Sequence, residues 1–481
     1  MTMPPSPPSF AELTAALSSS SRQLVIIDDD PTGSQSISGL PLVTRWSDDD
    51  LVWAFRQDAP GFFVLANTRS HQPTEAARVI REIHANVART AERLGLDITI
   101  ASRGDSTLRG HFPLETDVLA AGEAEAGRPV DAVVVIPAYP DAGRITVDSV
   151  HYVVHDGVRT PVGETEFARD ATFGFQSSFL PQWVEEVTRG DVVAGDVVRI
   201  TRDDLHRSGA TGVATTLLAC RDRRVVVVDA ADEDDLRIAA LGALQAEAAG
   251  ARLIYRTGPA FLRARCGQEN AGALSDAALD TAFTHAPDGY GLVAVGSHVG
   301  LTGRQLARLL DDHEIVPVEL DITRFLDADS SGASSFDAAV QEAAASAVTS
   351  LAGSDVVVMT SRTLVRGTDP AESLRIAAVA SRSLVAVVRA IHEEAAPSFV
   401  IAKGGITSND VATDALGIRR AEVVGTLLPG MVSLWTAADG PANSLPYVVF
   451  PGNVGDDDAL SRVVSRVVAA RAGTGRTVRR P

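Results

Sequence analysis

Residues 96–115, LDITIASRGDSTLRGHFPLE, run from an apolar stretch into a loop carrying Arg103, Asp105, Ser106, Thr107, Arg109 and His111. The stretch Leu96 to Ile100 predicts the end of a strand, and the loop after it holds far more hydrogen-bonding groups than an ordinary turn uses. Such a junction predicts a parallel sheet with a ligand site beyond its carboxyl edge, where loop amides and helix starts converge. The groups present suit a small, polar, anionic ligand.

Working outward, Val- and Ile-rich runs recur at 24–27, 62–66, 98–101, 132–136, 224–228 and 252–255, then at 292–295, 355–359, 399–402 and 447–450. They are continuous rather than alternating, which predicts strands buried on both faces. Amphipathic stretches separate them. Residues 74–95 set Ala76, Ile80, Ile83, Val87, Ala91 and Leu94 on one helical stripe that stops at Gly95. Ser47 and Asp50 are spaced as a capping box, and 300–313 and 369–395 also predict helices. At 481 residues the chain exceeds what one core serves. The expected fold class is α/β, with two domains, each a mainly parallel sheet flanked by helices, and an active site in the cleft between them. The Pro/Gly break at 284–289 sets the expected domains at 22–284 and 290–470. Residues 150–220 show no clear strand order, and the first nine residues and 471–481 read as loose tails.

The formal charge of −19 argues against nucleic acid as a partner, because a phosphate backbone demands a basic face. Cys220 and Cys266 fit neither a disulfide framework nor a zinc spacing, which points to a reducing compartment. The start MTMPPSPPS lacks the regions of a signal peptide, and no run approaches the roughly 18 apolar residues of a membrane span. The expectation is a cytoplasmic protein with no membrane partner. A homodimer is left open.

The loops at the strand ends carry the chemistry. Asp28, Asp29 and Asp30 end a buried strand before a Pro-Thr-Gly turn, and like charges there raise one another's pKa unless a cation or a substrate hydroxyl uses them. The alternative is a helix cap. Arg69, Arg103 and Arg109 can grip a carboxylate in a bidentate way, while Asp105 and Ser106 can take hydroxyls. In the second half GSHVG, KGGITS and PGNVG set small residues where backbone amides can approach phosphates. Lys403, the sole lysine of the chain, is either a chance survivor or a phosphate-facing charge. Walker, dinucleotide, zincin and hydrolase-elbow signatures are absent.

DDPTG (29–33), NTRS (67–70), DSTLRGHFPLE (105–115) and PAYPDAGRITVDSVHYV (137–153) resemble the sugar-acid-binding domain of the four-carbon acid sugar kinases. GSHVGLTGRQL, KGGITS and PGNVGDDDAL are similar to that family's nucleotide-binding domain. The resemblance implies an ATP-dependent phosphotransferase acting on the terminal (4-) hydroxyl of 3-oxo-tetronate, D-threonate or D-erythronate. It carries a substrate-binding role to Thr32, Gly33, Arg69, Asp105, Ser106, Thr107 and Arg109, and a nucleotide role to Ser297, Gly404, Gly405, Thr407 and Gly452. Arg103 and Gly104 stand where many relatives carry lysine, and Asp28 is an extra acid. The mechanism expected is that Arg69, Arg103 and Arg109 hold the carboxylate and Asp29 or Asp30 takes the proton of the attacking hydroxyl. ATP lies over Ser297, Lys403, Gly404, Gly405, Ile406, Thr407 and Gly452, with Mg2+ spreading the developing charge. The Mg2+ ligands are unassigned, although Asp456, Asp457 and Asp458 lie near the last motif. A sugar-acid dehydrogenase or aldolase, or a non-catalytic sugar-acid sensor, are the alternatives on the same two-domain plan.

Overall fold

Val- and Ile-rich runs bury best between two layers of helices, and the computed structural model, which describes residues 5–270, 272–362, 365 and 367–473, places all ten predicted runs in strands of that kind. The chain divides into two compact units, residues 1–271 and 272–481. In the first, eight strands form an all-parallel sheet. They are β1 (Arg22–Asp28), β2 (Leu40–Val43), β3 (Gly61–Leu65), β4 (Asp97–Arg103), β5 (Ala132–Ile136), β9 (Val198–Ile200), β10 (Arg224–Val228) and β11 (Leu253–Thr257). Their order is β2-β3-β1-β4-β11-β5-β10-β9. Val25, Ile27, Val64 and Ile100 share one core with Ile80, Ile83 and Val87 of the helix Pro73–Leu94. That helix ends, as expected, at Gly95 with φ 69°. Tyr255, one residue along from Ile254 in that core, instead meets Phe261 on the opposite face.

Between β5 and β9 the chain leaves the main sheet for a three-stranded antiparallel sheet, β6 (Arg144–Val147), β7 (Val150–His155) and β8 (Val158–Pro161). Strands β7 and β8 open the region whose strand order was illegible, and the helices Leu180–Val187 and Arg202–Ala219 with β9 follow within it. A helix, Phe10–Ser19, precedes β1 behind a complete Ser9/Glu12 capping box, so order begins ahead of the expected start at residue 22.

The second unit has the order β13-β14-β12-β15-β18-β17-β16, where β12 is Leu292–Val295, β13 Ile315–Leu320, β14 Asp355–Thr360, β15 Val400–Lys403, β16 Arg420–Leu428, β17 Val432–Ala437 and β18 Pro446–Phe450. The first five strands in that order are parallel, and β17 and β16 close the sheet in antiparallel fashion. Helix Asp276–Phe283 packs Leu279 and Phe283 into this unit's core, whereas the expected boundary at 284 had joined it to the first. The C-terminal helix Ala459–Gly473 enters the expected tail at 471, and 474–481 lie outside the described residues.

In each unit the strand order reverses direction at one point, β1/β4 in the first and β12/β15 in the second. Loops leaving the carboxyl ends of such neighbours diverge to opposite faces, and the crevice between them is where open α/β sheets hold ligands. All three acidic residues 28–30, the loop 103–111, Ser297 and residues 403–407 lie at these two points.

Candidate functional site

Parallel register sets Asp28 beside Arg103, and the two pair, Arg103 Nη1 lying 3.3 Å from Asp28 Oδ1 and 3.5 Å from Asp29 Oδ1. From the β3 loop, Arg69 donates through Nε to Asp29 Oδ2 at 3.2 Å, through Nη2 to Asp29 Oδ1, and through Nη1 to Asp30 Oδ2 at 3.2 Å. Asp30 caps the turn Pro31–Ser34, its Oδ1 accepting from Thr32 N at 2.8 Å and Thr32 Oγ1 at 2.6 Å. Asp105 accepts from Thr107 Oγ1 and, at 2.6 Å, from Arg109 Nε. The predicted Asp29, Asp30, Thr32, Arg69 and Arg103 thus form one ion network, and Asp105, Thr107 and Arg109 form a second whose charge reaches Arg69.

Glycine is required where this network is tightest. A Cβ on Gly33 would sit 1.9 Å from Asp28 Oδ2, and one on Gly104 would sit 2.2 Å from Arg256 Cζ. Gly110 adopts φ 117°, and a Cβ there would meet Arg256 Nη2 at 2.7 Å.

Burial drives the Asp28 pKa up to about 7 against the pull of Arg103. Burial also opposes charge on Asp30 and Asp105, but Arg69 with Thr32, and Arg69 with Arg109, outweigh it and hold both below the usual carboxylate range. Asp29 is buried and Asp30 is partly exposed. The sequence reading gave Arg69, Arg103 and Arg109 to a ligand carboxylate; in the structure each already has an acidic partner within the protein.

Several contributors escaped the sequence reading. Glu115, in the first turn of helix Leu114–Glu125, accepts from Thr68 Oγ1 at 2.6 Å, Ser102 Oγ at 2.8 Å and Arg256 Nη1 at 3.1 Å, and so fastens β3, β4 and β11 beneath the loop. Burial pushes His151 down to about 4, so it is neutral. Its Nε2 donates to Ser106 O at 2.8 Å and its Nδ1 lies 2.9 Å from Thr146 Oγ1, which fixes Ser106 from below. A tight hairpin after β5 pairs Tyr139 with Arg144 through N–H···O bonds of 2.7 and 2.9 Å. The guanidiniums of Arg144 and Arg109 both lie against the Phe167 ring, at 5.9 and 5.2 Å. The signals were present in part: Glu115 ends the opening stretch, and Arg256 and Arg144 belong to strand-end segments RTGP and DAGRIT.

In the second unit Ser297, Gly404, Thr407 and Gly452 do come together. Thr302 Oγ1 lies 3.1 Å from Ser297 Oγ and 3.0 Å from Gly452 O. A Cβ on Gly452 would approach Ser297 Oγ to 2.8 Å, and one on Gly296 would approach Thr407 Oγ1 to 2.3 Å. Gly404 has φ 125°, and Gly405 opens the helix Gly405–Asp410. The result is a shallow cradle of backbone and hydroxyls between two strand ends, the kind of surface a phosphate can approach closely. Beside it opens a largely apolar cavity of about 360 Å3, lined by His298, Thr360, Ile376, Ala377, Ala380, Leu384, Ile406 and Thr407. His298 Nε2 is 3.2 Å from Thr360 Oγ1.

Lys403 does not face this surface. It is fully buried, with Nζ donating to Pro451 O at 2.9 Å and Gly452 O at 3.4 Å and lying 4.1 Å from the Phe450 ring centroid. Burial pulls its pKa down to about 7. Asp456, Asp457 and Asp458 pair with Arg462, Arg304 and Arg308 at 2.9, 2.8 and 2.8 Å. Among the described residues no three metal-ligating side chains converge. No helix among the described residues is long and apolar enough to cross a membrane.

Comparison with known proteins agrees with this division. Residues 24–265 match the family described as a sugar-binding N-terminal domain, and 292–460 match the nucleotide-binding C-terminal domain. The D-threonate kinase of Salmonella typhimurium is 27% identical over 225 residues, 46% of this chain and 49% of that protein, so the match spans about half the length of the curated relative. A solved structure from Salmonella typhimurium LT2 superposes with a TM-score of 0.65 at 18% identity, covering 92% of this chain and 98% of that one. One from Haemophilus influenzae gives 0.60 at 17%, covering 92% and 100%. At such identities the two structures establish a shared α/β fold and nothing finer. The family matches lie on the strand-end clusters built above, and the chain belongs to the four-carbon acid sugar kinase family.

Proposed function

We propose that the chain is an ATP-dependent kinase that phosphorylates the terminal 4-hydroxyl of a four-carbon sugar acid such as D-threonate, D-erythronate or 3-oxo-tetronate. The observation that carries the reading is the cradle of Ser297, Gly404, Thr407 and Gly452, where glycine is required by close contact and a nucleoside-sized cavity opens alongside. Its amides and hydroxyls suit the triphosphate, and Gly405 and Ile406 continue that surface. The base and ribose fit the apolar cavity. Lys403 works from behind, tying β15 to the Pro451–Gly452 turn.

In the first unit Thr32, Gly33, Asp105, Ser106, Thr107 and Arg109 surround the polyol, with hydroxyl-binding groups set by internal hydrogen bonds. Asp30, partly exposed where Asp29 is sealed beneath Arg69, is the better-placed acceptor for the hydroxyl proton. Its lowered pKa makes it a weak base. That suffices, because the phosphoryl group passes through a loose transition state in which positioning and charge stabilisation do most of the work. Mg2+ would be held chiefly by the nucleotide's own phosphates and would spread the charge that develops there. The buried free thiols Cys220 and Cys266 fit a cytoplasmic setting.

ADP release measured over a panel of four-carbon acids tests the proposal. One acid turned over well above the rest supports it. ADP release from none of them, with nucleotide and metal present, refutes it.

A further inference from the structure

We propose that Arg144, assisted by the Tyr139 hydroxyl, is the anchor for the carboxylate of the sugar acid, a deeper statement that rests on the sugar-acid reading above. The opening in the charge balance is what points there. The acids Asp28, Asp29, Asp30 and Asp105 are met by Arg69, Arg103 and Arg109, each of which lies within ion-pair distance of one or more of them. Arg256 is likewise paired with Glu115. A network already rich in carboxylates repels an incoming anion unless a further cation faces it.

Arg144 is that cation. Among the described residues no carboxylate lies within 4.0 Å of its guanidinium, whose one hydrogen bond to protein runs from Nη1 to Ala142 O. Its Nε is buried with no partner. Its Cζ and that of Arg109 both lie over the Phe167 ring, and the charge of Asp105 is close enough to be felt. Burial pulls its pKa below the usual guanidinium value, Asp105 offsetting this only in part, so an anionic ligand would relieve it. Across the hairpin Tyr139 is 2% exposed, and its hydroxyl has no hydrogen-bond partner. A buried orphan hydroxyl, within electrostatic reach of a guanidinium that has no acidic partner, is costly in the empty protein. Together they offer a fork and an O–H donor, the set that a carboxylate accepts. The remaining hydroxyls of the ligand then fall to Asp105, Thr107 and Ser106.

Calorimetric binding of D-threonate, its neutral counterpart threitol and an ATP analogue to wild type, R144Q, R144K and Y139F tests the assignment. R144Q is expected to weaken D-threonate about 100-fold, the loss of a charge-assisted bidentate contact, while threitol and the ATP analogue bind as to wild type. R144K should recover part of the loss, and Y139F should weaken the acid about fivefold. Equal losses for acid and polyol, or unchanged acid binding in R144Q and Y139F, overturn the assignment and leave the kinase reading standing. Wild type that binds the acid with this variant pattern yet releases no ADP supports the anchor and overturns the kinase reading. Wild type that binds none of the four-carbon acids overturns both.

Discussion

Lys403 allows a direct measurement of what burial does to a charge, because it is the only lysine among 481 residues. Lysine labelled at Nζ and Cε gives a single side-chain signal in the intact protein. Its pKa should fall from 10.5 to about 7, because the side chain is fully buried with no acid beside it. At about 1.4 kcal/mol per pH unit, that difference corresponds to roughly 5 kcal/mol between the two protonation states. From pH 7 to 10.5 the unfolded chain binds a proton that the folded chain does not, so stability rises with pH across that window and is flat below it. Lys403→Met removes the titration but leaves the Pro451 carbonyl without its donor, whereas Gly452 O keeps Thr302 Oγ1, at a cost of about 1–3 kcal/mol. The stability of wild type minus that of the variant, from urea denaturation, should therefore grow by about 2 kcal/mol between pH 7 and pH 9. A midpoint near 10.5 in the NMR titration, or a difference independent of pH, refutes the reasoning.

Glu115→Gln leaves the buried Arg256 guanidinium without its counter-charge, and a loss of about 3–5 kcal/mol is expected in urea denaturation with Glu115→Asp intermediate. Gly452→Ala drives a methyl group to 2.8 Å from Ser297 Oγ. It should raise the KM for ATP at least tenfold with the KM for the acid unchanged, in the ADP-release assay. Asp30→Asn should lower kcat by about 100-fold or more while ATP binding, read by calorimetry, stays within twofold of wild type.

The parts of the fold visible in the sequence were those with a repeating physical cause. Strands such as β5 and β10 are buried on both sides, so AVVVI and RVVVV needed no alternation to be read. Strand β13 was missed because its burial alternates and Pro317 interrupts it, as suits the edge of a sheet. The antiparallel pair β16/β17 was missed too, its long first strand being only partly buried and broken by register shifts. At the site the residue types were legible, but their pairing was not. Nothing local in NTRS reveals that Arg69 closes on Asp29 and Asp30, about 40 residues upstream in sequence, and Glu115 and Arg256 meet across 141 residues. Composition shows how many charges a loop carries, and only the tertiary arrangement shows which of them remain unmatched.

Arg144 opens β6, the first strand of the small antiparallel sheet, whereas Asp28 to Asp30 lie at the end of β1, an interior strand of the eight-stranded one. On the proposed assignment, recognition of the acid and the chemistry on its far hydroxyl are mounted on separate frameworks within the same unit. The hairpin can lengthen, shorten or exchange its tip without shifting any pairing of β1, β3 and β4. On that assignment a lineage built on this plan can acquire a new acid by redrafting one ribbon, while the acidic strand end, hemmed in by Gly33 and Gly110, has almost no freedom to change.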